Sequence, residues 1–488
     1  DMPSDTGALL LLHLPDRVLF NIWKNLGTPA TVSEHRFACK RLCQLLAPRE
    51  VEHSADPVTE EFWRGLSRCQ GVVTLSLKHA TIPPDNCPRL CEVLFRLPAL
   101  TALDLSGCEF GEVLEGLAEP LKQLTELRTL ELQRNRLGPA TIPVVAALGE
   151  LPELTWLGLG CNDMGDAGVK ALAAQLPTNR KLTHLDLSDN GIGEWGLHAL
   201  SPQLLHCPRL SWISLSRNPL GRGLGALAKV LPDCSRLEHL NVTNVSDNLM
   251  HLGKLCSALS KCPDLNQLLI AGNHLGADAV ALQSCTALCR LDLGWNGLQV
   301  DGFRGGATVV QNCPHLVHLD LGWNSIGVEG AQALSEALRC ATTSSHNHTY
   351  SDHVSSCPLL EQLEINMTRI ADAGATHLAH AITHCTRLTH LASIGNFIGD
   401  AGMEPLSAAL GRCPNFQQLD FKMNSLREAG ARRLLEALEG CHRVAQLDLR
   451  GQEFPAIVGG EIQAWCDERN CVVFLDFGFS RMTNRQAC

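Results

Sequence analysis

Side chains that could do chemistry are abundant in this chain, with 22 cysteines, 20 histidines and 51 carboxylates among 488 residues. The cysteines are the most regularly placed. Ten of them stand three residues before the first apolar residue of a recurring segment: Cys69, Cys207, Cys234, Cys262, Cys285, Cys313, Cys357, Cys385, Cys413 and Cys441. A buried free cysteine packs as a small hydrophobe, so this column predicts a structural position at a helix end. We expect reduced thiols, although stacked strands about 4.8 Å apart would also allow disulfides.

No spacing typical of an active site or a metal site accompanies these residues. Cys39 and Cys43, or Cys87 and Cys91, are spaced as C-x3-C, but neither has the matching second pair of a zinc site. The sequence also lacks a glycine-rich phosphate loop, an H-E-x-x-H helix and a nucleophile elbow. We therefore expect no metal, no cofactor, no small-molecule substrate and no enzymatic activity.

The elements that position these residues come from one phrase, LxxLxLxxNxL, which returns about every 28 residues. Its first apolar residue stands at Val72, Leu100, Leu127, Leu154, Leu182, Leu210, Leu237, Leu265, Leu288, Leu316, Leu360, Leu388, Phe416, Val444 and Val472. Such a period is typical of a leucine-rich-repeat solenoid, in which each unit packs only on its neighbours. The sequence thus predicts an extended recognition surface rather than an active-site pocket.

Each unit should contain a strand, a loop and a helix. GDAGVKALAAQL from Gly165 and GVEGAQALSEAL from Gly327 have the apolar spacing of a helix. The Asn of the phrase should satisfy backbone groups of the turn and link consecutive coils, at Asn135, Asn162, Asn190, Asn218, Asn273, Asn296, Asn324, Asn396 and Asn424. Thr368 should weaken this ladder, and Val245 should break it unless the turn slips to Asn248.

Two steps depart from the period. Leu265 to Leu288 spans only 23 residues, which predicts a clipped helix and a local kink. Leu316 to Leu360 spans 44, and the excess maps to a polar insertion at 341–356, expected to be a mobile loop. Its histidines could bind a metal, but a solvated insertion is the simpler interpretation: His346, His348 and His353. The last strand should cap the solenoid, and 480–488 should form a loose tail.

The helical half of each unit and the GDAG or GVEG helix starts resemble the ribonuclease-inhibitor-like subfamily of leucine-rich repeats, over residues 70 to 479. The resemblance implies an α/β right-handed horseshoe with parallel strands on the concave face and helices outside. Cys-Pro or Cys-Thr before each strand also resembles the cysteine-containing repeats joined to F-boxes. The solenoid itself is expected over 71–479.

The N-terminal segment at 8–50 resembles an F-box, through LPDRVLFNIWKNLG and HRFACKRLCQLL. This resemblance implies docking to a Skp-family adaptor of cullin ubiquitin ligases, through Leu14, Pro15, Val18, Leu19, Ile22, Trp23, Leu26 and Leu42. Leu42 departs from the family's frequent Trp. A helical cap that merely seals the first repeat is the alternative. Residues 51–70 should be a linker or N-terminal cap, with an acidic hinge from Glu52 to Glu61.

Alternation along each strand turns the residue between the last two leucines of LxxLxL towards the concave surface. Nine of fifteen such residues are carboxylates: Asp104, Glu131, Asp186, Asp292, Asp320, Glu364, Asp420, Asp448 and Asp476. Four tryptophans, Trp156, Trp212, Trp295 and Trp323, should join them in a contact patch for a basic partner. The alternative is that Asp is simply common in this phrase and is solvated there.

Composition narrows the functional classes. A net charge of −11 argues against non-specific binding to nucleic acid or an anionic membrane, and no stretch has the apolar length of a membrane span. With no signal peptide evident, we expect a cytoplasmic or nuclear protein. The leading hypothesis is an F-box substrate receptor for a cullin-type ubiquitin ligase. The alternatives are a scaffold subunit of a large assembly, such as a ciliary or organellar one, and an inhibitor of a basic enzyme.

Overall fold

A computed structural model describes residues 50–53, 58, 60–69, 71–245, 249–340 and 359–475. The chain divides into two compact units, unit 1 at residues 1–237 and unit 2 at 238–488. Both are built from repeated strand, turn and helix coils, as the phrase predicts. The F-box-like segment up to residue 49, the insertion at 341–356 and the tail at 480–488 lie outside the described residues.

Unit 1 contains a parallel sheet in which consecutive strands are neighbours. Its strands are β1 (Glu50–Glu52), β2 (Thr74–Ser76), β3 (Ala102–Asp104), β4 (Thr129–Glu131), β5 (Trp156–Gly158), β6 (His184–Asp186) and β7 (Trp212–Ser214). Its α-helices are α1 (Glu60–Leu66), α2 (Cys87–Leu94), α3 (Ala118–Lys122), α4 (Thr141–Ala146), α5 (Gly165–Ala173), α6 (Glu194–Leu200) and α7 (Leu224–Val230). Short 3-10 segments extend several of these helices, as at Gly111–Leu117 and Ser201–His206.

Unit 2 repeats the arrangement with longer helices. Its strands are β8 (His239–Asn241), β9 (Gln267–Leu269), β10 (Arg290–Asp292), β11 (His318–Asp320), β12 (Gln362–Glu364), β13 (His390–Ala392), β14 (Gln418–Asp420), β15 (Gln446–Asp448) and β16 (Val472–Phe474), paired in parallel and in chain order. Its α-helices are α8 (Leu249–Leu259), α9 (Gln299–Asn312), α10 (Gly327–Cys340), α11 (Ala371–Ile382), α12 (Asp400–Leu410), α13 (Glu428–Leu438) and α14 (Ala456–Glu468). The helices predicted from Gly165 and Gly327 are confirmed.

The core of each coil lies between its strand and its helix. The central residue of a strand is buried while its neighbours face away from the core, as in β6, where Leu185 is fully buried between His184 and Asp186. Leu182 and Leu187 are also fully buried. Each such leucine contributes about 1.5–3 kcal/mol of transfer free energy. The repeated leucines therefore supply most of the burial that holds consecutive coils together.

The predicted asparagine ladder is present, and one rung shows its chemistry. Asn324 Nδ2 donates to Leu293 O at 2.8 Å in the preceding coil and to Leu321 O at 2.9 Å in its own. Asn324 Oδ1 accepts from Asn296 N at 3.0 Å and from Leu298 N at 3.1 Å. One buried amide thus satisfies two carbonyls and two N–H groups that water cannot reach.

Five described coils vary this rung, and three of them lie in unit 2. Thr368 supplies only a hydroxyl, whose Oγ1 lies 2.8 Å from Ile365 O, and Val245 supplies no amide although its N–H still donates to Asn273 Oδ1. In a third coil Gln452 takes the role, because its Nε2 donates to Phe421 O at 2.6 Å. The first two departures follow the sequence prediction, and residues 246–248 lie outside the described part of the chain.

The 23-residue unit has the shortened helix that its length predicts. A 3-10 helix at Gly276–Ser284 replaces the α-helix of other coils in unit 2. Helix α9 packs so closely on it that a Cβ on Gly302 would lie 2.7 Å from Gly276 O. Glycine is therefore required at this crossing, because the atom it would meet belongs to the backbone.

Two expectations near the chain ends need correction. The expected hinge from Glu52 to Glu61 includes part of a strand, because Glu52 in β1 pairs with Ser76 in β2, and helix α1 begins within the same segment at Glu60. The register of the last strand is shifted by two residues, since Val473 pairs with Leu447 and Phe474 pairs with Asp448. Phe474, and not Asp476, therefore occupies the position next to the outward residue Asp448. In the segment CVVFLDF, apolar residues could face the core in either of two registers, and the pairing with β15 selects one of them.

The cysteine column is buried, as predicted. Nine of its ten members are buried, and Cys357 lies outside the described residues. Burial, with a smaller contribution from the neighbouring Cys262, raises the pKa of Cys285 to about 12, which keeps it protonated at neutral pH. Within the described part of the chain, no helix has the length and apolar character needed to cross a membrane.

Candidate recognition surface

The candidate surface is the side of each sheet that faces away from the leucine core. In each repeat, one outward residue stands four positions after the first apolar residue. We call the set of these residues, one from each repeat, the acid column. Eight predicted acids lie in this column on the outward side: Asp104, Glu131, Asp186, Asp292, Asp320, Glu364, Asp420 and Asp448. Seven are half-buried, and Asp448 is only 3% exposed. Close packing with neighbouring strands removes much of the solvation that a free surface carboxylate would have.

Most of these acids also have a structural task that sequence reasoning missed. Asp104, Asp186 and Asp320 each accept through Oδ1 the backbone N–H two residues later, with Oδ1 to N distances of 2.9, 2.9 and 2.7 Å. The bond closes a turn that ends the strand. Asn241 makes the same bond to Thr243 N at 3.1 Å, so the turn needs the oxygen and not the charge. The recurrence of Asp therefore has a local cause, and only the second oxygen remains for a partner.

Unit 1 presents an aromatic stack on its outward face. Trp156, His184 and Trp212 lie on β5, β6 and β7 in adjacent register. The ring centroids of Trp156 and His184 are 4.2 Å apart with an interplanar angle of 21°, and those of His184 and Trp212 are 6.1 Å apart at 28°. All three side chains are half-buried. The stack forms a flat, partly solvent-exposed aromatic surface across three strands.

Glu131 lies beside this stack in an unusual environment. Its Oε2 occupies the space of the absent side chain at Gly158, where a Cβ would lie only 1.8 Å away. Burial, reinforced by the charges of Asp104 and Asp186, raises the pKa of Glu131 to about 7, although the Trp156 indole acts in the opposite direction. Neither Glu131 Oε2 nor Trp156 Nε1 reaches hydrogen-bond geometry with a partner among the residues that the structure describes. This acid is half protonated near neutral pH rather than a fixed negative charge.

Unit 2 presents a more exposed aromatic pair. Trp295 and Trp323 stack with ring centroids 4.1 Å apart and an interplanar angle of 16°, and they are 55% and 46% exposed. Both lie within the same hexapeptide, LDLGWN, at 291–296 and 319–324. Of the four tryptophans predicted as contacts, these two offer the larger free surface.

The turn that holds these tryptophans has a left-handed residue at this position in the other described coils too, including the large residues Arg134, Arg217 and Met423. Trp295 and Trp323 have φ of 55° and 58°, a left-handed conformation that costs a bulky residue about 1–2 kcal/mol relative to glycine. Two coils later, Met367 leans over Gly395, so that a Cβ there would lie 2.4 Å from Met367 Sδ. Trp295 and Trp323 instead stack on each other and remain about half exposed. Exposed aromatic surface of this kind is a candidate contact surface.

The acids beside this pair interact strongly with one another. Asp292, Asp320 and Glu364 are adjacent in register on β10, β11 and β12. Burial, together with the charges of Asp292 and Glu364, raises the pKa of Asp320 to about 7. Burial also raises the pKa of Asp292. His318 Nε2 lies 3.7 Å from Glu364 Oε1. An added positive charge would reduce the electrostatic repulsion among these three carboxylates.

The last acids of the column already have cations from the chain itself. Lys422 Nζ lies 3.2 Å from Asp420 Oδ2 and 3.9 Å from Asp448 Oδ2. Arg450 forms two bonds to Asp448, Nε to Oδ1 at 3.0 Å and Nη2 to Oδ2 at 2.6 Å. Burial acts to raise the pKa of Asp448, but these bonds and the nearby Lys422 lower it overall. Asp420 and Asp448 were predicted as contacts, but their charges are already neutralised by Lys422 and Arg450. The sequence prediction considered the acid column alone and not the basic residues two positions after each acid.

Two exposed apolar residues of unit 2 were not among the predicted contacts. Phe397 and Met423 are exposed in unit 2, at the turns that follow β13 and β14, and the leucine-rich phrase did not single them out. Their signal was an apolar residue at a turn position. The predicted adaptor-binding set beginning at Leu14 lies outside the described residues. Within the described ranges, no group of three or more histidine, cysteine or acidic side chains gathers closely enough to hold a metal ion.

Repeated parallel strands, buried leucines and an asparagine ladder define both units as leucine-rich-repeat solenoids. A family model described as a leucine-rich repeat matches residues 154–173, 178–201 and 312–335. A leucine-rich-repeat protein of Leptospira interrogans, 17% identical, aligns over 88% of this chain and 95% of its own with a TM-score of 0.52. An internalin of Listeria monocytogenes, also 17% identical, aligns over 72% of this chain and 88% of its own with a TM-score of 0.47. No curated protein sequence matches this chain.

Proposed function

We propose that this chain is a non-catalytic protein-recognition module that binds a partner through the outward face of its strands. The observation that carries the proposal is the stacked, solvent-exposed Trp295–Trp323 pair, in which each indole follows an outward acid, Asp292 or Asp320, by three residues. Exposed tryptophans dominate the binding energy of many protein interfaces, and a rim of polar groups completes such a patch. The solenoid fold agrees with this role, because its repeats present a long surface.

The test is affinity purification of the full chain with quantitative mass spectrometry. The variant Trp295→Ala/Trp323→Ala removes the exposed pair, and Trp195→Ala is a matched control because Trp195 is 75% exposed on helix α6. A true partner should be depleted at least about tenfold by the double variant and retained by the control. Recovery of the same proteins, in the same amounts, with all three chains would contradict the proposal.

At a finer level, we propose that the module is an F-box substrate receptor acting in the cytoplasm or nucleus. Its support is the Leu-Pro start at Leu14 and Pro15 and the apolar stripe through Ile22. The chain would hold a target near a recruited ubiquitin ligase and would act by raising effective concentration. Purified Skp-family adaptor should bind the full chain directly. Binding that survives a Pro15→Ala, Ile22→Asp double change would count against this assignment.

A second candidate is a permanent scaffold subunit, which is favoured by apolar side chains on the helical side of each unit. Trp195 on α6 and Ile457 on α14 are exposed at 75% and 69%. A subunit enclosed by neighbours would bury such residues as well as the strand face. Co-purification at fixed stoichiometry that is lost on Trp195→Ala or Ile457→Asp, without adaptor or ligase subunits, would favour this candidate over the receptor.

A further inference from the structure

The last repeats of unit 2 show how an arginine side chain binds a carboxylate of the acid column. Arg450 follows Asp448 by two residues, and its guanidinium makes the two-bond contact to both carboxylate oxygens. The same guanidinium carbon lies 5.1 Å from the ring centroid of Phe474 on the next strand. A planar cation is thus held by a carboxylate on one side and an aromatic ring on the other, which is the geometry that arginine favours.

Two coils of the same unit have a carboxylate in this column and a tryptophan three residues later, but no arginine between them. Arg290 on β10 acts on both acids only as a more distant charge. At the position of Arg450, the motifs ending in Trp295 and Trp323 have Gly294 and Gly322. Neither Asp292 nor Asp320 has an ion-pair partner within 4.0 Å among the described residues. Glycine places no side chain of its own beside these acids. A Cβ on Gly294 would make a tight contact with Asp292 Oδ1, at 3.3 Å, and would lie 3.8 Å from Asp320 Oδ1.

The stacking geometry of the indoles restricts the ligand further. With ring centroids 4.1 Å apart, Trp295 and Trp323 are in contact and no third ring fits between them. Their planes differ by 16°, so they do not form the walls of a cage around a rounded ammonium ion. What remains is a flat outer face beside carboxylates. A guanidinium suits it, because it stacks flat on an indole and donates to carboxylates in its own plane.

Resting on the proposed function, we propose that the twin Asp-Leu-Gly-Trp motifs bind an arginine side chain from an extended segment of a partner polypeptide. Its aliphatic stem packs on the indole pair, and its guanidinium takes beside Asp292 and Asp320 the place that Arg450 takes beside Asp448. A phosphate-rich ligand such as a nucleic acid is repelled by the same carboxylates. The partner is therefore a protein that presents an accessible arginine.

The test is isothermal titration of the full chain with an N-acetylated, C-amidated Gly-Arg-Gly-Arg-Gly peptide at low ionic strength. The equivalent lysine peptide has the same charge and controls for simple electrostatic attraction. We expect the arginine peptide to bind at least about fivefold more tightly than the lysine peptide. Trp323→Ala should weaken arginine-peptide binding by about tenfold, whereas Trp195→Ala, in unit 1, should leave it unchanged.

A gain-of-cation variant makes the test specific. Gly322→Arg supplies the chain's own guanidinium to Asp320 and should abolish peptide binding. A Cβ at Gly322 lies 3.1 Å from Asp320 Oδ1, so Asp320→Asn serves as a second variant that retains the turn bond, and it should weaken binding about tenfold. Far-UV circular dichroism confirms folding of each variant.

Equal affinity for the two peptides, or unchanged binding by both Trp323→Ala and Asp320→Asn, would overturn the arginine site. If partner proteins still depend on Trp295 and Trp323 while the arginine peptide does not bind, the recognition function stands and the arginine inference is wrong. If the peptide binds as expected but no protein is recovered through the tryptophan pair, the site stands and the proposed function fails.

Discussion

Replacing Asp320 by Asn should stabilise unit 2 in alkaline solution. The carboxyl has a folded-state pKa raised to about 7, against 3.8 without the surrounding structure. Between these values the folded chain retains a proton that the unfolded chain releases, so rising pH favours unfolding. The penalty grows from about pH 4, is complete above about pH 7, and is absent below pH 4. Asn keeps the Oδ1 acceptor for Gly322 N and removes the charge.

The magnitude follows from the two pKa values. At about 1.4 kcal/mol for each pKa unit, the upper bound for the Asp320 penalty is about 4 kcal/mol. The outward oxygen of Asp320 keeps contact with water, which screens part of the electrostatic penalty. We therefore expect the Asn variant to raise the free energy of unfolding by about 1–2 kcal/mol at pH 8. At pH 4 the two proteins should differ by less than about 0.5 kcal/mol. Asn241 shows that the turn accepts an amide in this column.

The assay is urea denaturation followed by far-UV circular dichroism at pH 4, 6 and 8. Asp448→Asn is the matched control with the opposite sign, because Arg450 holds the folded-state pKa of Asp448 below its ordinary value. That ion pair stabilises the fold above about pH 4 and is lost as pH falls through the folded-state pKa, so the variant should lose about 1 kcal/mol at pH 8. A loss of stability at pH 8 in Asp320→Asn would refute the reasoning about like-charge crowding.

Three further predictions concern the framework. Asn324→Ala should lower the free energy of unfolding by about 2–4 kcal/mol, because it leaves buried carbonyls and N–H groups without partners; a loss under 1 kcal/mol in urea denaturation would argue against the ladder. Gly302→Ala should destabilise by about 1–3 kcal/mol, whereas Gly306→Ala in the same helix meets only Phe303 at 3.7 Å and should be neutral or stabilising by thermal melting. Cys285 should resist iodoacetamide at pH 8 until the chain unfolds, and mass spectrometry should find the half-buried Cys289 labelled first; equal rates in the native protein would contradict the burial argument.

Much of the framework could be predicted because each coil solves the same packing problem. A strand residue such as Leu185 must be buried and Asn190 must satisfy the turn, so both recur at a fixed distance along the chain. The shortened helix of the 23-residue unit followed from length alone. The register of β16 could not be predicted, because Val473 and Leu475 are equally apolar and only pairing with Leu447 chooses between them.

The site was less accessible to sequence reasoning. The alternation of strand residues correctly placed the acids on the outward side, but it could not show that Asp320 closes a turn while retaining a proton near neutral pH. It also could not show that Asp448 is shielded by Arg450. These properties depend on how much water each carboxylate loses and on which charges stand beside it.

By itself, the sequence determined that this protein is a stack of leucine-lined coils joined by buried amides, because burial and hydrogen-bond satisfaction act within one coil or between consecutive coils and leave a periodic trace. Only the tertiary structure decided which outward groups act together. Trp295 and Trp323 are 28 residues apart in the chain, yet their rings lie 4.1 Å apart. Stacking, screening and proton affinity depend on such distances across strands, and chain spacing does not contain them.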